Sequence, residues 1–158
     1  HPGIPDAQES RGLGDVYKRQ DINYHIYGSN KYLEKHGMPK SINDLSKHNF
    51  ISFGRGAPSP VFNPDWALKL GIKDNKKRKP VMKVNSVMGL LLAVESGVGL
   101  AALPDYLVSL SRNVIKVLPS VEGPITEAHF VFPESLKNVA RVTTFRNFLY
   151  SKISEFKS

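Results

Sequence analysis

The chain has 158 residues, 41% hydrophobic and 23% charged, which suits one folded domain with a buried core. Its longest apolar run, residues 88–94 with Gly89 inside it, is far too short to cross a membrane. The formal charge is +8, and the absence of cysteine excludes disulfides, thiolate metal sites and thiol nucleophiles, in keeping with a reducing cytoplasm.

Residues 1–20 show no hydrophobic period and hold Pro2, Gly3, Pro5, Gly12 and Gly14. They have no apolar segment of the kind a signal peptide needs. The run RGLGDVYKRQ reads like translated adapter sequence, so a non-native or disordered tail is expected over 1–20. Residues 29–36 read as a short helix closed by Gly37, with Pro39 barring its continuation. Ser41 to Asp44 is a capping-box-like start, with Asp where Glu is usual, and serves to turn the chain. A short strand follows over 50–53. Residues 54–64 then hold Gly54, Gly56, Pro58, Pro60 and Pro64, a long loop of the kind that often carries function. Residues 66–70 and 81–84 read as two strands of a hairpin, with Gly71, Asp74 and Asn75 as turn residues. The basic run Lys76, Lys77, Arg78 and Lys79 falls in that turn. It reads as a solvated face rather than a phosphate patch, because no aromatic residue interleaves with it for base stacking.

The most structured stretch is VMKVNSVMGLLLAVESGVGLAALPDYLV, residues 81–108. Val81, Met82 and Val84 are a β-prone run. Asn85 and Ser86 can cap a helix start, and Gly97 can take the left-handed position that ends it. The helix between them is apolar at nearly every position, so it is expected to be buried on most sides. Residues 100–103 read as a short buried strand, and Pro104 opens a second helix. A strand–helix–strand unit of this kind needs a parallel sheet and a crossover. Beyond it, residues 114–118 are a strand ended by Pro119. Glu122, Gly123 and Pro124 suit a crossing, 128–132 is a strand, and 138–156 is a long helix with an apolar stripe at Val139, Val142, Phe145, Phe148, Leu149 and Ile153.

No catalytic constellation stands out. The histidines, His1, His25, His36, His48 and His129, show no i,i+4 pair and no metal-ligand spacing, so structural or surface roles are expected. Ser96 lies in ESGVG, but between helix and strand, the reverse of a nucleophile elbow. Gly97-x-Gly99 lacks the third glycine of a dinucleotide fingerprint and follows a helix. An enzyme reading would revive only with a cleft holding a perturbed carboxylate–histidine pair. A binding site reads more clearly. Ligands of open α/β sheets sit beyond the carboxyl ends of strands, often at helix N-termini. Two strand ends qualify here. One leads into Gly54, Arg55 and Gly56, where Arg55 suits a bidentate bond to a carboxylate. The other leads into Asn85 and Ser86 at open helix amides.

These motifs carry a family resemblance. Asn85, Ser86, Ala93, Gly97, Gly99, Ala101, Leu103 and Pro104 are in register with a helix-then-"aGxGxaxLP" pattern. Upstream, Ser29, Tyr32, Leu33, His36, Gly37, Pro39, Asp44, Leu45 and His48 match "asPxYLxxhGxPxxxxDLxxHxxixf", with Asn30 where proline is usual. Downstream, VIKVLPS, HFVFPES and the helix around Phe145 and Phe148 match the closing segment. From about Asn23 onward the chain resembles the effector-binding domain of LysR-type transcriptional regulators.

The resemblance implies a type 2 periplasmic-binding-protein-like α/β fold. It comprises one nearly complete subdomain plus the C-terminal strand and helix of the other. The implied limits are a hinge remnant over 21–27, the effector-binding subdomain over 28–123 and a return over 124–158. It implies no catalytic residue, cofactor or metal. A small-molecule effector, expected to be anionic in view of the helix amides and Arg55, would sit between subdomains. It would touch Ser52, Phe53 and Gly54 on one loop and Asn85, Ser86 and Val87 on another, with Pro104 lining the cleft. DNA would be bound only through a helix-turn-helix that this chain lacks, and the intact protein would be a homo-oligomer. With most of the first subdomain missing, exposed apolar surface, an unpaired strand edge and effector binding that is weak or absent in this chain alone are expected. A transporter's solute receptor, which shares the fold, is the alternative.

Overall fold

A computed structural model of the chain describes residues 16–54, 65–72 and 76–155, with backbone alone at 16–20 and 153–155. The chain divides into two units, residues 22–126 and residues 1–21 with 127–158.

In chain order the strands and helices are β1 (Val16–Ile22), β2 (Tyr24–Ser29), α1 (Asn30–His36), β3 (Ile51–Phe53), α2 (Trp66–Lys69), β4 (Met82–Val84), α3 (Val87–Glu95), β5 (Ala101–Pro104), α4 (Asp105–Val108), β6 (Val114–Val117), β7 (Thr126–Val131) and α5 (Ala140–Glu155). Single 3-10 segments cover Ile42–Lys47 and Glu134–Leu136.

In the 22–126 unit, β3 and β4 pair in parallel, Ile51 opposite Met82 and Phe53 opposite Val84. On its other side, Phe50 bridges Leu100 in parallel, with Leu100 N–H donating to Asn49 O and Ile51 N–H to Leu100 O, both at 2.8 Å. β2 then runs antiparallel to both β5 and β6. The strands therefore lie in the order β4, β3, β5, β2, β6. β4–α3–β5 is the expected parallel crossover, with β3 lying between its two strands.

The period-2 alternation of the strands sends side chains to two cores. One face gathers Tyr24, Ile26, Leu33, Phe50, Trp66, Leu68 and Leu100 with α1 and α2. The other gathers Tyr27, Ile51, Leu90, Leu91, Val94, Ala101 and Leu103 with α3 and α4. At α1, Ser29 Oγ accepts from Tyr32 N–H, and Gly37 at φ 83° donates back to Leu33 O. Asp44 accepts from the Lys40 and Ser41 amides and from Ser41 Oγ, which is the expected turn device.

Three expectations are corrected. Residues 66–70 are not a strand, and there is no hairpin with 81–84. Trp66, Ala67 and Leu68 are buried consecutively on a helical turn, and β4 spends its ladder on β3. Arg78 is no solvated turn residue either. Its guanidinium donates to Leu70 O at 2.6 Å, closing the end of α2, and lies 5.4 Å from the Phe50 ring centroid. Finally, α3 is buried on one side only. Leu90, Leu91, Ala93 and Val94 face the core, whereas Met88 and Leu92, four residues apart, are 47% and 55% exposed.

In the other unit β7 pairs with β1, which begins at Val16, within the stretch set apart as a tail. Phe130 lies against Phe132 and Phe145, joining β7 to α5. Val131, Phe145, Phe148 and Tyr150 remain exposed, the apolar surface anticipated for this piece.

Candidate functional site

The parallel register brings two separately read loops to one end of the sheet. β3 ends at Phe53 directly opposite Val84, and Gly54 N–H then donates to Val84 O at 2.6 Å. One continues from Gly54 into residues 55–64. The other passes through Asn85 and Ser86 into α3. Ser86 is extended at φ −138°, ψ 137°. Its Oγ accepts from Gly89 N–H at 3.4 Å, and its carbonyl accepts from Leu90 N–H at 3.0 Å. That leaves the amides of Val87 and Met88 in the open first turn, at the positive end of the helix. Asn85 and Ser86 are exposed; Phe53, Gly54 and Val87 are half-buried.

The far end of α3 fixes this geometry. Gly97, at φ 80°, donates to Val94 O, and Val98 N–H donates to Ala93 O, the two bonds of a Schellman motif. Gly99 serves a different need. A Cβ there would stand 2.6 Å from Asn49 O, so only glycine allows β5 to approach the chain before β3.

The other anticipated site residues are placed differently. Ser52 is 5% exposed, with its Oγ 3.2 Å from both Asp65 Oδ1 and Phe53 O, and the Lys77 ammonium pairs with the same Asp65. Pro104 is fully buried at the end of β5, opposite Tyr24. Arg55 lies outside the described residues. The structure thus brings together Phe53, Gly54, Asn85, Ser86 and Val87, with Ser52 one step back along β3.

A polar cluster escaped the sequence reading. Asp105 Oδ1 lies 2.8 Å from His25 Nδ1 and accepts from Tyr27 OH at 2.8 Å. Lys116 Nζ is 3.3 Å from Asp105 Oδ2, 3.2 Å from His25 Nδ1 and 5.9 Å from the Tyr27 ring centroid. Burial alone would raise the Asp105 pKa, but hydrogen bonds from His25 and Tyr27, the His25 charge and Lys116 outweigh it and hold it below the usual carboxylate range. Tyr27 is pushed far above the usual phenol value by burial, then by its bond to Asp105 and that group's charge. Asp105 and His25 thus form a carboxylate–histidine pair on the face of the sheet. Its hydroxyl neighbour, Tyr27, is committed to Asp105 and is a poor nucleophile. Between them the four residues span 91 positions, so no local spacing announces them. Only the β5-β2-β6 order does. The one local hint is the i,i+2 placement of His25 and Tyr27, which puts both on one strand face.

A second histidine site is structural. His36 stacks on Tyr32, with ring centroids 4.2 Å apart, and Tyr32 OH accepts from Asn49 N–H at 2.8 Å. Among the described residues no three His, Asp or Glu side chains converge to hold a metal ion, and no helix is long and apolar enough to cross a membrane.

Comparison with known proteins agrees with this architecture. Residues 21–153 match the model of the LysR substrate binding domain. An uncharacterised HTH-type transcriptional regulator of Haemophilus influenzae is 29% identical over 124 residues, 75% of this chain and 41% of that protein. Among solved structures, the regulatory domain of CrgA, a LysR-type transcriptional regulator from Neisseria meningitidis, superposes with a TM-score of 0.74 at 23% identity. It covers 92% of this chain and 71% of that one. The regulatory domain of the C227S variant of AphB from Vibrio vulnificus gives 0.64 at 15% identity, over 94% of this chain and 73% of that one. The chain belongs to the LysR substrate-binding domain family. Its fold is that of LysR regulatory domains, and it spans less than half the length of its Haemophilus relative.

Proposed function

We propose that this chain is the sensing part of a LysR-type transcriptional regulator and takes a small anionic effector at the shared end of β3 and β4. The observation that supports the reading most is the juxtaposition of Gly54 with Asn85 and Ser86. It sets Gly54 beside the chain that enters the open first turn of α3, where helix amides favour a carboxylate or similar anion. In this reading the Val87 and Met88 amides and Asn85 bind the anionic group. Phe53 and Val87 meet the apolar part, Arg55 adds charge from the loop, and Ser52 and Pro104 shape the floor from behind. DNA is contacted by a helix-turn-helix outside this domain, in keeping with the Haemophilus relative being an HTH-type regulator. The domain carries no catalytic step and needs no cofactor. It works in the cytoplasm as part of a homo-oligomer, and effector binding shifts the population of quaternary states. None of the relatives named above favours the transport-receptor reading.

The test is operator binding by the full-length regulator across a panel of small carboxylates. A member of the panel should change operator affinity, and Asn85→Ala and Arg55→Ala should weaken the response without altering operator binding in its absence. A response that survives both substitutions would place the effector elsewhere.

A further inference from the structure

The cluster around Asp105 holds more positive groups than one carboxylate can serve equally in every protonation state. His25 Nδ1 faces Asp105 Oδ1 at 2.8 Å and Lys116 Nζ at 3.2 Å. One ring nitrogen cannot donate to the first and accept from the second at the same time. The closer carboxylate contact favours a proton on Nδ1. The neutral ring then donates to Asp105, while Lys116 reaches Oδ2 at 3.3 Å and rests against the Tyr27 ring.

The groups facing His25 among the described residues come from three elements. They are Tyr27 on its own strand β2, Asp105 at the start of α4, and Lys116 on β6. Its antiparallel neighbour on β5 is the apolar Leu103. The His25 side chain is 11% exposed, whereas that of Lys116 is 34% exposed, so the lysine has a route to water and the imidazole has little.

We propose that His25 and Lys116 are alternative counter-charges for Asp105, so that a second proton on His25 drives the Lys116 ammonium off the sheet face. The step is a simple proton uptake at Nε2. Nδ1 keeps its proton and its bond to Asp105, the ring becomes cationic, and two positive charges then stand within direct contact of each other. The imidazolium is pinned by the shorter hydrogen bond and by burial. Lys116, on a flexible stem near solvent, is the group that leaves. The device would thus turn proton uptake at one ring into movement of one ammonium group. It lies within the unit that carries the candidate effector loops, and it stands independently of whether they bind an effector.

Nuclear magnetic resonance of the chain reads the device directly. The Lys116 ε-methylene signals feel the Tyr27 ring, and should lose their ring-current displacement as pH falls from about 8 to about 5. Their midpoint should coincide with that of the His25 ring signals. In His25→Gln the Lys116 signals should stay flat over the same range. If His25→Gln does not fold, Lys116→Met supplies the second arm, since removing the ammonium should let His25 take its proton at higher pH. Lys116 signals that stay still while His25 titrates would overturn the proposal. So would an unchanged His25 midpoint in Lys116→Met.

Discussion

Gly99→Ala is the sharpest test of how this fold is held. The added methyl would sit 2.6 Å from Asn49 O and 3.0 Å from Asn49 C, backbone atoms that cannot swing aside as a side chain can. β5 would have to withdraw from the chain entering β3 by the better part of an ångström. The two 2.8 Å hydrogen bonds there, Leu100 N–H to Asn49 O and Ile51 N–H to Leu100 O, would stretch or break. At about 1 kcal/mol net for each bond, with a similar amount for strain, the loss should be about 2–3 kcal/mol. Urea unfolding measures it as a lower midpoint at an unchanged slope. Gly97→Ala is the internal comparison. Its penalty comes only from a left-handed φ of 80°, and should be about 1 kcal/mol. A loss below about 0.5 kcal/mol for Gly99→Ala would refute the close-approach argument, because that is the size of an ordinary surface change.

Other substitutions probe separate parts of the account. Ser86→Ala removes the Oγ that accepts from Gly89 N–H and should cost about 1 kcal/mol in urea unfolding, whereas Ser86→Asp should cost less. Arg78→Lys keeps the charge of the basic run but cannot reach the α2 carbonyls as a fork. It should lose about 1–2 kcal/mol of stability and leave nonspecific nucleic-acid binding unchanged. Stability should fall with acid in two windows. Burial lowers the His48 pKa in the folded chain, so the unfolded chain binds that proton more readily, and stability declines as pH drops below the unfolded value of about 6.5. Asp105 is likewise depressed. Its contribution is present above the unfolded carboxylate value of about 3.9 and is lost as pH falls through the lower folded value. Unfolding midpoints across pH should show both declines, with His48→Gln removing part of the upper one and Asp105→Asn the lower.

What the sequence made legible were the elements whose boundaries have local causes. α3 runs from Val87 to Glu95 because Ser86 caps one end and Gly97 turns the other, and both signals lie within the segment itself. The same holds for α1 between Ser29 and Gly37. The hairpin over 66–84 failed because its reading used turn residues without asking where each strand would find a partner. β4 pairs with β3, about thirty residues away in sequence, and Trp66 is drawn to the core as part of a helix. Arg78 was misread for the same reason, since the carbonyls it serves become neighbours only after α2 forms. The outward face of α3 was invisible because Met88 and Leu92 are as apolar as Leu90 and Leu91. At the candidate site, Asn85 and Ser86 announce themselves as a cap. The adjacency of Gly54 depends on the β3–β4 register, which no local pattern announces; the resemblance implied only that both loops touch one effector.

The central claim, that the open turn of α3 beside Gly54 is an anion-recognising effector site, is most directly tested by titrating the isotopically labelled chain with small mono- and dicarboxylates. Two-dimensional amide spectra detect even millimolar binding. Saturable shifts centred on the amides of Gly54, Asn85, Val87 and Met88, reduced in Asn85→Ala, are the result the account predicts. Saturable shifts clustered away from β3 and β4, or shifts at those amides that Asn85→Ala leaves unchanged, would contradict it.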